Sequence, residues 1–208
     1  MAAESTTQSP GRRERNKQDK QDRIFLAAQQ LFVERGYSAV TTQEIAKAAD
    51  VGAGTLFTYA SSKAELLLMV MNTQVEVGTS RGKAVASSEE SIVAAVMALL
   101  HPLVAISLAQ PENTAVYQRE ILFGAPGRHR TEALNRIREF EHAIADILRR
   151  GDIRADIDAE GAARTIFSAL HMEVIRMGLG AESAETLSAT LRFHVDVLLR
   201  GALVPGGS

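Results

Sequence analysis

Cysteine is absent from this 208-residue sequence, and so is tryptophan; there are five prolines and three tyrosines. Without cysteine there is no disulfide, no thiolate metal site, no cysteine nucleophile and no thiol redox sensor. An excess charge of one sign is also missing. The 23 Lys and Arg residues stand against 25 Asp and Glu, a formal net charge of −2, so the chain as a whole does not advertise nucleic acid. Long hydrophobic runs are scarce. The longest, Ile92–Ala109, is interrupted by His101, Pro102 and Ser107, whereas a membrane span needs about 20 apolar residues. A core helix kinked at Pro102 is the better expectation. Met1–Gln21 is polar and charged, with no apolar segment of a signal peptide, so no membrane partner is expected.

What is present is helix-forming. The sequence holds 32 alanines and 20 leucines, with 46% hydrophobic and 23% charged residues overall. Alanine and leucine are the strongest helix formers, and β-branched runs of strand length are scarce, which predicts an all-α globular chain. At this length folding buries roughly 70% of the unfolded surface, enough for a sizeable core.

Residues 1–16 read as a flexible tail with a local basic excess. Between Gly11 and Arg23 six basic residues (Arg12, Arg13, Arg15, Lys17, Lys20, Arg23) face three acidic ones (Glu14, Asp19, Asp22). A first helix is predicted from about Lys17 to Arg35, with Ile24, Ala27, Ala28, Leu31 and Phe32 at helical spacing and Gly36 ending it. Thr41-Thr42-Gln43-Glu44 spells a capping box opening a short helix to Ala49. Asp50-Val51-Gly52 turns into another brief helix, about Ala53 to Tyr59, and Ser62-Lys63-Ala64-Glu65 caps a long apolar one. Two short helices joined by a tight turn behind a longer helix form a helix-turn-helix unit, although many small bundles contain tight αα turns. Ser80–Ser88 reads as a break. Further helices are predicted over 89–108, 112–123, 129–150, 159–178 and 183–200, each bounded by proline or glycine. Pro205-Gly-Gly-Ser reads as a frayed end.

Residues 24–66 resemble the DNA-binding head of the TetR family of transcriptional regulators. The resemblance is carried by Ile24, Ala27-Ala28, Leu31-Phe32, Arg35-Gly36-Tyr37, Thr41-Thr42, Ile45-Ala46, Ala49, Val51, Gly54-Thr55-Leu56, Tyr59, Lys63 and Leu66. Weaker likenesses are the 151–158 segment, similar to the family's linker before its dimerisation helices, and Leu198-Leu199-Arg200-Gly201, similar to a common ending. The chain departs from the family pattern at Asp50 (usually glycine), Gly52 (serine), Phe57 (tyrosine) and Ala60 (an aromatic). Asp50 tolerates left-handed φ better than most residues, and Gly52 can still cap a helix.

The resemblance implies an organisation of three parts: the tail, a helix-turn-helix DNA-binding domain over 17–62, and a helical effector-binding and dimerisation domain over 63–204. About nine helices are expected. In helix-turn-helix proteins the start of the second helix enters the major groove. Leu56 should therefore point inward, leaving Gly54, Thr55, Phe57 and Thr58 toward DNA. Thr42 and Tyr59 offer hydroxyls, and Lys63 lies on a helix N-terminus suited to phosphate. Gln43 could bond adenine in bidentate fashion, or simply be a solvated helix-start residue.

The resemblance also implies a ligand cavity and a homodimer. Met97, His101, Tyr117, Glu120, Phe123, Phe140, Phe167 and His171 are candidate pocket residues, a polar minority within an apolar body, though ordinary core is the plainer reading of any one of them. Val174, Met177, Leu187, Leu191, Val195 and Leu198 form stripes at helical spacing suited to a two-fold four-helix bundle, or to packing on the chain's own core.

Other constellations are bland. His142 and Asp146 sit at i and i+4 without a third ligand. Asp152…Asp158 alternates acids like a calcium loop but lacks its central glycine and closing glutamate. Gly52-Ala53-Gly54 follows a helix rather than a strand, so it is no dinucleotide fingerprint. No hydrolase triad is visible, and neither cofactor nor metal is expected. The expectation is a cytoplasmic, homodimeric repressor that binds a near-palindromic double-stranded operator and is released by a small, largely apolar molecule. Its rivals are a DNA-binding protein without effector or under a partner protein's control, and, remotely, a helical enzyme.

Overall fold

The computed structural model describes residues 11–151, 153–178 and 184–202. Expectations for residues 1–10, Asp152, Gly180, Ser183 and the Pro205-Gly-Gly-Ser end lie outside the described residues. The described regular structure is helical: α1 (Arg12–Arg35), α2 (Thr42–Ala48), α3 (Ala53–Tyr59), α4 (Lys63–Ala86), α5 (Ile92–Ala109), α6 (Pro111–Phe123), α7 (Arg128–Leu148), α8 (Ala159–Gly178) and α9 (Ala184–Ala202). The chain divides into two compact units, residues 1–67 and 68–208, with the boundary five residues beyond the expected one and inside α4.

In the first unit Ile24, Ala28 and Phe32 of α1, Ile45 of α2, Leu56 of α3 and Leu66 of α4 are buried to within 1%. α1 ends at Gly36, whose φ of 74° favours glycine and whose N–H returns to the Phe32 carbonyl at 3.0 Å. α1 begins earlier than predicted, so Arg12–Asn16 are helical rather than tail. Spaced pairs support that start: Glu14 with Lys17 at 3.9 Å, and Gln18 donating to Asp22 at 2.7 Å.

The second unit packs α5, α7, α8 and α9 around one core that includes Leu99, Leu100, Phe140, Ile144, Leu148, Ile166, Leu170, Leu187 and Leu191. α5 is long and apolar enough to cross a membrane, yet Ile92, Ala95, Val96, Leu99, Leu100 and Val104 are buried in this core. Of the predicted break at Ser80–Ser88, residues 80–86 are instead the last turns of α4, and only Ser87 and Ser88 turn out of it. Gly82 explains the difference: a Cβ there would lie 2.8 Å from the Leu99 carbonyl oxygen, so glycine serves close helix approach rather than a stop. The calcium-like acids have other duties. Asp156 accepts from Arg154 at 2.8 Å, and Asp158 accepts the Gly161 N–H at 2.9 Å at the start of α8.

Candidate nucleic-acid interface and effector cavity

The reading head is set by caps and side-chain ties. Thr41 is the N-cap of α2 and completes the expected capping box: its Oγ1 accepts the Glu44 N–H at 3.2 Å, and Glu44 accepts the Thr41 N–H at 2.8 Å. Arg35 donates to the same carboxylate at 2.8 Å. The Arg35 guanidinium and the two Thr41 bonds bring the Glu44 pKa down to about 2. Ser62 Oγ accepts the Glu65 N–H at 3.1 Å, capping α4.

The turn between α2 and α3 rests on Asp50, whose φ of 51° is left-handed, as its place in the turn suggested. On α3, Leu56 is fully buried while Gly54, Phe57 and Thr58 are exposed and Thr55 is half-buried. Thr58 Oγ1 is spent on the Thr55 carbonyl at 2.6 Å. Gln43 is exposed at the start of α2, beside half-buried Thr42. The Tyr59 hydroxyl donates to the Lys17 carbonyl at 3.1 Å, tying α3 to α1. Lys63 Nζ sits 4.2 Å from the centre of the Tyr37 ring, whose face steadies the ammonium at the first turn of α4. A Cβ on Gly54 would meet nothing within 4 Å, and its φ is not positive, so neither packing nor backbone conformation calls for glycine there.

In the second unit, helices α4 to α8 enclose a cavity with about 690 Å³ of space free of atoms, its mouth included. Its wall is mostly apolar: Met71, Leu103, Ile106, Ile137, Phe140 and Phe167 stand among its lining residues. Phe167 meets Phe140 edge-on at 6.0 Å and stacks at a tilt on His171 at 6.0 Å. Burial lowers the His171 pKa and favours the neutral ring; burial raises that of Tyr117. The Tyr117 hydroxyl donates to Asn72 Oδ1 at 2.8 Å, and Asn72 Nδ2 donates to the His129 carbonyl at 2.8 Å.

Of the eight pocket candidates, Tyr117, Phe140, Phe167 and His171 line this cavity; the other four do not. Met97 and His101 lie on the other side of α5, at an open depression shared with Ser188 and Arg192. Glu120 and Phe123 fall outside the arc of α6 defined by Thr114, Tyr117 and Ile121. Glu120 pairs with Arg119 at 2.8 Å, and Phe123 is 82% exposed. Sequence reasoning missed Thr114 and Arg136, although each is one turn from a residue it chose, Tyr117 and Phe140.

The proposed dimer stripe also needs correction. Leu187, Leu191 and Val195 are buried in the unit's own core, Leu198 and Met177 pack against it, and Val174 lines the cavity. The regular spacing marked the side of α9 that faces α5 and α8. The apolar residues turned outward on these two helices are Met172, Phe193 and Val197, each about half exposed or more. His142 is exposed, and Asp146 accepts from Arg149 at 3.0 Å.

Residues 24–70 match the family model described as bacterial regulatory proteins, tetR family. No curated protein matches the chain. Among solved structures, the chain is similar to Thermus thermophilus FadR, described as a TetR family transcriptional repressor in complex with lauroyl-CoA: 26% identity, TM-score 0.70, over 88% of this chain and 95% of that one. A TetR transcriptional regulator from Rhodococcus sp. RHA1 gives 23% identity and TM-score 0.69 over 88% and 97%. Bacillus subtilis FadR in complex with stearoyl-CoA gives 18% and 0.67 over 87% and 98%, a likeness of fold. Residues 24–70 thus carry the DNA-binding region that the tetR family model describes, and the chain as a whole shares its helical fold with a TetR family transcriptional repressor.

Proposed function

We propose that this regulator is a homodimeric repressor released from a near-palindromic operator by a small, largely apolar molecule. The observation that carries the reading is the apolar cavity of the second unit, in a chain whose first unit is a DNA-binding head. Concave, mostly apolar sites with a few polar groups are the usual form of small-molecule sites. The lauroyl-CoA held by the Thermus thermophilus protein supports a ligand with a hydrocarbon part.

The exposed Met172, Phe193 and Val197 on α8 and α9 support a self-complementary two-fold contact there. Two-fold pairing places two heads about one DNA turn, or a multiple of it, apart. Met71 lines the cavity on α4, the helix that begins with Lys63. A ligand weakens operator binding only if it prefers the DNA-incompetent arrangement; a preference of about 1–3 kcal/mol lowers affinity about 5- to 150-fold.

Selection of bound duplexes from a random pool, followed by electrophoretic shifts, tests DNA recognition. Lys63→Ala should weaken all sequences nearly alike, and Gln43→Ala should relax preference at one base pair by about 1–3 kcal/mol. The operator-bound fraction across a panel of apolar compounds tests release. Binding without sequence preference would sink the operator, and a panel with no releasing compound would sink the effector.

A further inference from the structure

The lining of the cavity includes polar side chains that are chemically unfinished. Three buried side-chain atoms on its wall have no hydrogen-bond partner: Thr114 Oγ1 on α6, Arg136 Nε on α7 and His171 Nε2 on α8. These three helices pack against one another pairwise. A buried polar atom left unpaired forfeits the hydrogen bonds it makes to water in the unfolded chain, so three in one mostly apolar lining mark a place where a partner belongs.

The chemistry of the three atoms limits that partner. Arg136 Nε–H can only donate, whereas a hydroxyl and a neutral imidazole can each donate or accept. A hydrogen-bond acceptor is therefore the one group that all three can serve. Its charge is limited too. The Arg136 guanidinium already donates to Glu76 at 2.8 Å, and burial lowers the His171 pKa, disfavouring a positive charge there. An anion placed here would be buried without a free counter-charge.

We infer that the effector is an uncharged carbonyl compound on a hydrocarbon body, a ketone, ester or thioester, whose oxygen is held by Thr114, Arg136 and His171 while its chain lies along Leu103, Ile106 and Phe167. This rests on the reading of the cavity as the effector site and adds the functional group that the site selects.

The test uses the full chain with octane, 2-octanone and octanoate, and the isosteric variant Thr114→Val, with His171→Leu as a second variant. Dissociation constants come from headspace partition for the two neutral probes and calorimetry for the anion. Thr114→Val should weaken 2-octanone about 2- to 12-fold, the value of one hydrogen bond, and leave octane unchanged or tighter. Octanoate should bind at least about tenfold more weakly than 2-octanone at neutral pH. The infrared carbonyl band of bound 2-octanone should lie below its position in hexane and move back toward it in either variant. A hexane-like band, equal effects of Thr114→Val on octane and 2-octanone, tighter octanoate, or no binding of 2-octanone would each overturn the inference. Release of operator DNA by octane as well as by 2-octanone would overturn it too, while leaving ligand release itself standing.

Discussion

The Arg23 guanidinium reaches two oxygens of Asp50, its main-chain carbonyl at 3.2 Å and its carboxylate Oδ2 at 3.4 Å. It thereby grips, from the middle of α1, the one described non-glycine residue with positive φ. Left-handed backbone costs most L-residues about 1–2 kcal/mol, less for aspartate. The ion pair recovers little, because the Asp50 side chain is 98% exposed. Asp50→Gly should raise the thermal midpoint, by up to about 1 kcal/mol in stability, and Asp50→Val should lower it by about 1–2 kcal/mol. Circular dichroism melts decide it; a lower midpoint for Asp50→Gly would show that the Arg23 contacts outweigh the strain.

Gly54 lies inside α3 with open space where a Cβ would stand. Alanine there should stabilise the helix by up to about 1 kcal/mol. If the DNA backbone approaches this surface, the same methyl group should weaken operator binding. Opposite changes in melting temperature and in operator affinity are the expected pair; a rise in both would remove Gly54 from the interface.

Glu44 titrates at about 2 in the folded head because of Arg35 and Thr41. Its folded pKa lies below the unfolded value of 4.5, so its contribution is present above that pH and fades as pH falls toward 2. Glu44→Gln should flatten stability against pH in that window. Chemical denaturation at a series of pH values reads the slope, and an unchanged slope would clear Glu44 of the role.

Gly82 permits backbone contact within the second unit, and Gly82→Ala forces a Cβ to within 3 Å of Leu99 Cα and O. Strain of that kind typically costs about 1–3 kcal/mol, more than alanine's gain in helix propensity. Urea unfolding should show the loss, and a stabilised variant would mean that α4 and α5 separate freely here.

Phe193 is 64% exposed on α9. Placing a charge in an apolar two-fold contact sets it near its own symmetry mate. Phe193→Lys should give a monomer mass in light scattering where the parent gives a dimer. A dimer in both would move the interface away from this face.

Much of the head was legible because its signals are local. A capping box needs only Thr41 and Glu44, a turn needs Asp50, and an inward leucine needs only the spacing around Leu56. The body was legible as helices but not as surfaces. Periodicity locates an apolar stripe without saying which neighbour covers it, and so Leu187, Leu191 and Val195 read as well for a dimer seam as for the core they fill. The exposed Phe193 and Val197, four residues apart, share a helix face outside that stripe. Arg136 and Thr114 escaped notice because polar residues on amphipathic helices are expected in water, and only tertiary packing brings them to one cavity wall.

The scarcity of aromatic residues leaves the molecule optically quiet. Tyr37 and Tyr59 belong to the head, while Tyr117 is the sole phenol of residues 68–208, and no indole competes with it. Near-ultraviolet signals from the body therefore come largely from the wall of the cavity. A single tryptophan substituted for Phe167 would emit from beside His171 with no background of its own kind, making occupancy of that space directly visible as colour and lifetime.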